Sequence, residues 1–329
     1  MNLARNVCFD PALGLASVFV SHPKRDEFVR PKLDVKMKFG ELSLHWRGTD
    51  LLSVYEQTLI LVLCEIASEQ LGPNGQVAAP PGKLETALYD SEEEKRPPVV
   101  ELATSYAELS RRSGCKSVGG NALSRTKASL QRLCETTIWQ SDAKGNTIQS
   151  RLLSWHCGDR TKVRVALNFR LAGALLGGQF SKISLKERLS LRTDFAKVLH
   201  CFLAATLRSG TNWRFRIDGL SSRLWHGAAE CASTMRGRRA ETLAALKEIN
   251  GLEGWQVVDA SSDVVVVARS CVDSRVGEKT RSIQSERPFS GEDASHLQQP
   301  LAEKFNDDDD LDVIDMSRLF LTTSSTTPA

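Results

Sequence analysis

The sequence predicts an α+β fold in which one arrangement of elements occurs twice, followed by an acidic, disordered tail. Three observations carry this expectation. Residues 53–168 and 193–269 each run from a long apolar helix, through a short helix, to a helix with a cationic polar face, and end in β-type runs joined by turn residues. Charge is divided along the chain: from Cys271 onward there are 6 Lys/Arg and 12 Asp/Glu, which leaves 37 basic and 28 acidic residues of the total 43 and 40 in the preceding part. The tail is also rich in Ser, Thr, Asp and Glu and poor in apolar residues, a composition that cannot bury enough surface to fold.

The first copy begins with a helix over 53–70, where Leu59, Val62, Leu63 and Ile66 form a stripe. A short helix over 105–113 is stopped by Gly114. The next helix, in 119–139, buries Leu123, Leu130, Leu133 and Cys134. Asn121, Arg125, Ala128 and Arg132 then share the opposite face at i, i+4, i+7 and i+11, with Ser124 and Lys127 beside them. Strands over 137–141 and 147–154 flank a turn of Asp142-Ala143-Lys144-Gly145-Asn146, whose basic tip is Lys144, and a third strand covers 162–168.

The second copy has a helix over 193–208 with Phe195, Val198, Leu199, Phe202 and Leu203 inward, a strand over 213–217, and a short helix over 218–225 with Asp218 as its cap. The helix of residues 233–249 follows. Ser233 or Thr234 is its expected cap, Ala240, Leu243, Leu246 and Ile249 its buried side, and Arg236, Arg238 and Arg239 its polar face. Strands over 255–259 and 264–269 close the unit.

Helix, short helix, polar-faced helix and β-hairpin is the order of a winged helix-turn-helix, so the expected architecture is tandem winged-helix domains. The expected divisions are a leading segment 1–30, domain 1 over 31–180, domain 2 over 181–270 and the tail 271–329. Arginine offers a donor fork that matches the O6/N7 edge of guanine, and Asn matches adenine. Asn121, Arg125, Arg236 and Arg239 are therefore the expected base readers. Lys127, Lys144 and Arg238 suit phosphate, as does Arg269 at the base of the second hairpin. Ser124, Ala128, Arg132, Ser233 and Thr234 complete the expected DNA-binding set.

Other chemistries are disfavoured. The G-x-x-x-x-G-K-[ST] pattern does not occur, and Val276-Gly277-Glu278-Lys279-Thr280 lacks its glycine spacing. His226 with Glu230 is the nearest approach to a metal site, but the six histidines are otherwise isolated, so neither a metal nor a cofactor is expected and the protein is read as a non-enzyme. The eight cysteines form no C-x-x-C pair and fall in apolar patterns, which suggests reduced core residues. The absence of a long apolar run and of a signal peptide points to a cytoplasmic protein without membrane contact.

A series of short blocks extends the reading. Asp10-Pro11-Ala12, Lys32-Leu33-Asp34-Val35, Gly72-Pro73-Asn74-Gly75, Ser105-Tyr106, Arg151-Leu152-Leu153-Ser154, Val165-Ala166-Leu167-Asn168, Gly177-Gly178-Gln179, Leu199-His200, Ser233-Thr234-Met235-Arg236 with Arg238-Arg239, and Gly254-Trp255 stand in collinear order. From about residue 9 to about residue 269 the chain thereby resembles the IncQ-type plasmid replication initiators, the iteron-binding RepC family. The resemblance implies a tandem winged-helix protein that binds direct repeats at a plasmid origin and promotes opening of an adjacent AT-rich stretch. It also implies that helicase and primase are supplied separately.

Two further contacts are expected. Met316, Leu319 and Phe320, after the acidic run 307–310, look like a degenerate sliding-clamp docking peptide, although the tail lies beyond the resemblance. Alternating residues 33–44 suggest a hairpin whose exposed edge joins copies on neighbouring repeats. The charged segment 90–95 reads as a solvated insertion. A winged-helix transcriptional repressor, of its own promoter for example, shares all these helices and differs in binding inverted repeats. A non-specific RNA-binding or structural protein is disfavoured by the lack of aromatics among the basic stretches.

Overall fold

Helix caps and turn residues delimit the N-terminal elements of the computed structural model, which describes residues 5–22, 29–71, 97–157, 162–225, 227, 229, 231–259 and 261–270. Strand β1 (Asn6–Phe9) enters helix α1 (Pro11–Leu15) at Asp10, whose carboxylate accepts the Ala12 N–H at 3.2 Å while Pro11 occupies a position that needs no N–H. After β2 (Phe19–Val20), strands β3 (Leu33–Phe39) and β4 (Leu42–Gly48) form a hairpin that turns at Gly40, φ 58°. Strand β5 (Leu52–Ser53) runs into α2 (Val54–Gln70) through a capping box of Ser53 and Glu56.

Next come β6 (Val100–Ser105), α3 (Tyr106–Arg112), α4 (Gly120–Glu135), β7 (Thr137–Ser141), β8 (Thr147–Arg151), β9 (Leu153–His156) and β10 (Lys162–Leu167). Helix α5 (Phe169–Leu175), strand β11 (Ser181–Ser184) and helix α6 (Leu185–Ser190) lead to α7 (Asp194–Thr206). The last elements are β12 (Thr211–Arg216), α8 (Ile217–Ser221), α9 (Ala232–Asn250), β13 (Trp255–Asp259) and β14 (Val264–Arg269). The chain is thus a mixed α and β protein.

The expected repetition is visible in the topology. Apart from β7 and β8, which are inserted between α4 and β9, the series α2-β6-α3-α4-β9-β10 has the same order as α7-β12-α8-α9-β13-β14, and both three-stranded sheets place the last strand in the middle, β6-β10-β9 and β12-β14-β13, with every pair antiparallel. This order follows when a strand between the first two helices pairs with the far arm of a terminal hairpin.

Several expectations need correction. The strand expected over 147–154 is broken at Leu152, which is buried and donates its N–H to Thr136 O at 2.7 Å. The break sends β8 into a four-stranded sheet, β3-β4-β7-β8, and β9 into the three-stranded one. Lys144 therefore tips a hairpin of the four-stranded sheet, and is not on the hairpin that follows α4 in the repeat. Helix α9 starts at Ala232 with Cys231 as N-cap, and no side chain caps it. Its buried side is Thr242, Ala245, Leu246 and Ile249, whereas Leu243 is exposed and Ala240 faces solvent. Asp218 lies inside α8 and does not cap it.

Helix α2 is buried nearly all round because elements outside the first repeat cover the side that its apolar stripe leaves over. Strand β1 pairs with β11 from Asn6↔Ser184 to Phe9↔Ser181, and α1, β1, α5 and α7 all reach α2 or one another. One continuous hydrophobic core consequently includes Leu59 and Val62 of α2, Leu130 of α4, Leu199 of α7 and Leu246 of α9. Arg188 of α6 is fully buried and donates to Thr58 Oγ1, Val54 O and Gln57 Oε1 of α2 at 3.0, 3.2 and 2.8 Å, and to Lys197 O at 2.7 Å. No carboxylate is among these partners. Burial pushes its guanidinium down to about 10, still charged at neutral pH.

The tail 271–329, the insertion 90–95, the block Gly72-Pro73-Asn74-Gly75, the pair His226 and Glu230, and Met316, Leu319 and Phe320 all lie outside the described residues. Among the described residues, no group of His, Cys, Asp and Glu is arranged to hold a metal, and no helix is long and apolar enough to cross a membrane.

Candidate nucleic-acid interface

Helix α4 is held by polar packing against α2 and α3. Thr126, fully buried, lies 2.7 Å from both the Tyr55 hydroxyl and Ser110 Oγ and also donates to Ala122 O at 2.9 Å. These contacts orient the helix so that Asn121, Ser124 and Lys127 are exposed and Ala128 is half-buried.

Arg125 and Arg132 are on the border between the exposed strip and α2, and α2 captures both. The Arg125 guanidinium sits 4.1 Å from the Tyr55 ring centroid, with Nη2 3.1 Å from Cys115 Sγ, while the residue keeps an exposed surface. Arg132 is turned inward. Its Nη2 and Nε lie 2.6 and 2.9 Å from Glu56 Oε1, which also accepts Ser129 Oγ at 2.8 Å, and Arg30 reaches the other oxygen at 3.4 Å. Glu56 has no solvent exposure. Burial alone would raise its pKa, but the Ser53 hydrogen bond and the charges of Arg132 and Arg30 outweigh this and hold the carboxyl at about 2. Arg132 thus neutralises a buried anion, a role that removes it from the exposed face expected from spacing.

In α9 the first turns project from the body, and Ser233, Thr234, Met235 and Arg236 are exposed. Arg236 makes no hydrogen bond or ion pair among the described residues. Arg238 is half-buried; its Nη1 donates to Gly227 O at 2.8 Å and its guanidinium lies 5.6 Å from the Trp225 ring. Arg239 links three elements, contacting Asp218 of α8 at 3.4 Å, and Asp263 and Ser262 O in the β13–β14 turn at 2.5 and 2.9 Å. Asp263 and Asp218 hold it firmly in the charged form. Arg239 is therefore occupied as a brace between the helix and the hairpin tip.

The hydroxyls of Ser233 and Thr234 point at Cys231 Sγ, 3.1 and 3.2 Å away, and lower the thiol to about 6. This differs from the expected caps, since both hydroxyls turn to the thiol of the N-cap residue and leave the helix without a side-chain cap. Arg269 departs from its expected phosphate role. It is half-buried, donates to Lys182 O at 3.1 Å and to Leu207 O and Ala204 O at 3.3 and 3.4 Å, and covers the Trp255 ring at 5.2 Å. Lys144 is exposed, its N–H bonded to Asp142 Oδ1 at 2.9 Å.

Met235, half exposed beside Arg236, is an apolar side chain on this surface that the sequence reading did not place in the expected DNA-binding set. Of the cysteines, Cys64, Cys134 and Cys201 are buried as expected, but Cys231 and Cys157 are exposed.

The fold and this surface define a mixed α/β protein that presents the exposed starts of two equivalent helices. The chain belongs to the Replication protein C (RepC) family, whose family model matches residues 2–270. It is thereby a DNA-binding protein of replication initiation. Similar solved structures include two of domains 2 and 3 of RctB, one of them from a selenomethionine derivative. They show 11% and 10% identity at TM-scores of 0.42, covering 76% and 79% of this chain and 94% and 97% of theirs. No curated protein matches the chain.

Proposed function

We propose that the protein initiates plasmid replication by binding direct repeats, the iterons, at the origin through two winged helix-turn-helix domains in residues 31–180 and 181–270. The observation that carries this is the duplicated topology, in which α4 and α9 hold equivalent places and each exposes a polar or cationic N-terminal half. Asn121 and Arg236 read bases, and Arg125 reads a base when DNA competes it away from Tyr55. Ser124, Lys127, Ala128, Ser233, Thr234 and Arg238 lie against the phosphates and sugar edges. Met235 contacts a thymine methyl group. Arg132 and Arg239 act from behind by fixing the two helices, and Lys144 reaches phosphate only where the DNA extends past the β7–β8 turn.

Binding on adjacent repeats offsets the cost of deforming the duplex, on the order of several kcal/mol, and opens a neighbouring AT-rich stretch. The free edge of β3 joins neighbouring copies, since β4 is already paired on both sides. Helicase and primase come from elsewhere, and Met316, Leu319 and Phe320 dock on the sliding clamp.

Footprinting on the DNA flanking the gene tests the reading. Protection of evenly spaced direct repeats is expected, with loss of discrimination at one base step in Arg236→Ala. Protection of a single inverted repeat would replace the proposal with a two-fold repressor.

A further inference from the structure

The β3-β4-β7-β8 sheet has one face in the core and one in water. Leu33, Leu44, Trp46 and Ile138 point inward and are buried. The register puts Lys36 opposite His45 and His45 opposite Trp139, and sets Arg47 and Arg151 on either side of Thr137, so these residues share the outer face with Lys38. Lys36, Lys38, Arg47 and Arg151 are exposed, and Trp139 is half-buried on the surface. Its indole is tilted 39° to the His45 ring at 5.8 Å between centroids, and the Arg47 guanidinium lies 5.6 Å from its ring. Asp34, bonded to His45 at 2.6 Å, is the acidic residue of this face, against four permanent cations.

We infer that this outer face binds single-stranded DNA, with Trp139 and its flanking planar groups stacking on bases and the lysines and arginines holding phosphates. Edge protection accounts for charges on β3, which is a sheet edge, but Arg47 and Trp139 sit on the interior strands β4 and β7 and protect no edge. A planar aromatic with cations on both sides matches a strand whose bases are unpaired, because every base has a π-face and every nucleotide a charge. In a duplex those faces are closed by stacking. Four strands about 4.8 Å apart give a patch about 14 Å wide, enough for a few nucleotides. The inference rests on the proposed action at an origin, where such a strand is released.

The test uses the full-length chain and two fluorescent probes, an AT-rich single-stranded DNA 20-mer and a duplex carrying a single iteron, on which no neighbouring copy can sit, with RNA of the 20-mer sequence as a competitor. Trp139→Ala is expected to weaken single-strand binding by at least about fivefold, with partial recovery in Trp139→Phe. Lys36→Ala with Lys38→Ala, a surface change that spares the core, is expected to lower the salt dependence by about 0.7 per lost phosphate contact. Both variants should bind the duplex as the parent does. Unchanged single-strand binding in both, equal loss on both probes, or tighter binding to RNA of the same sequence would overturn the inference. Loss of duplex recognition by the parent protein, with the single-strand effects intact, would sink the iteron reading and leave this one standing.

Discussion

Glu56 is the point at which a buried charge, a helix cap and a candidate recognition helix meet, and Glu56→Gln tests that convergence. The substitution keeps shape and size but leaves Arg132 and Arg30 without a counter-charge. Two routes give the cost. Moving the carboxyl from its ordinary 4.5 to about 2, at about 1.36 kcal/mol per pH unit, corresponds to about 3 kcal/mol of stability. Removing one member of a buried ion pair typically costs about 3–5 kcal/mol, and the partial exposure of Arg132 and Arg30, 20% and 23%, places this site at the low end. The folded pKa is depressed, so the contribution is complete above the unfolded value and disappears as pH falls from about 4.5 towards 2. Urea denaturation of both proteins at pH 7 and along an acid series measures the difference. A gap below about 0.5 kcal/mol at pH 7, or one that does not narrow between pH 5 and pH 3, would refute the reasoning.

Three other outcomes are expected. Gly14→Ala should destabilise by about 1–3 kcal/mol in the same assay, because the added Cβ would stand 2.8 Å from Ala205 Cβ where α1 crosses α7; a neutral variant would show that the two helices can part. Arg236→Ala should weaken iteron binding by roughly tenfold without moving the melting temperature, since the side chain has no partner to lose among the described residues. Alkylation by iodoacetamide should be fastest at Cys231, with a pH midpoint of about 6, and slow at the buried Cys64, Cys134 and Cys201; a midpoint near that of a free thiol would contradict the geometry around Ser233 and Thr234.

Spacing and chemistry along the chain were enough to reveal the order of helices in both copies, the apolar helices that become α2 and α7, and the exposed start of α9, but not strand β6 or which strands form the first copy's sheet. Each feature revealed depends on contacts within a few turns, which periodicity and capping chemistry record. They also located Asn121 and Arg236 on exposed surface. What neighbours do to a residue is not written in its own segment. Arg132 and Arg125 share a strip with Asn121, yet Tyr55 and Glu56, some seventy residues earlier, draw them back onto α2. Arg239 and Arg269 had the composition of DNA contacts and became braces because carboxylates and carbonyl oxygens converge on them.

The same division explains the sheet face. Lys36, Lys38 and Arg47 come from strands about a hundred residues before Trp139, so no local stretch brings them to it, and only the register of β3, β4, β7 and β8 does. By itself the sequence determined the kinds of element, their repetition and the sign of the charge they carry, because those depend on residue type and local spacing. The tertiary structure decided which cations remain available to a ligand, because availability is set by whichever distant anion, aromatic ring or carbonyl oxygen packs within reach.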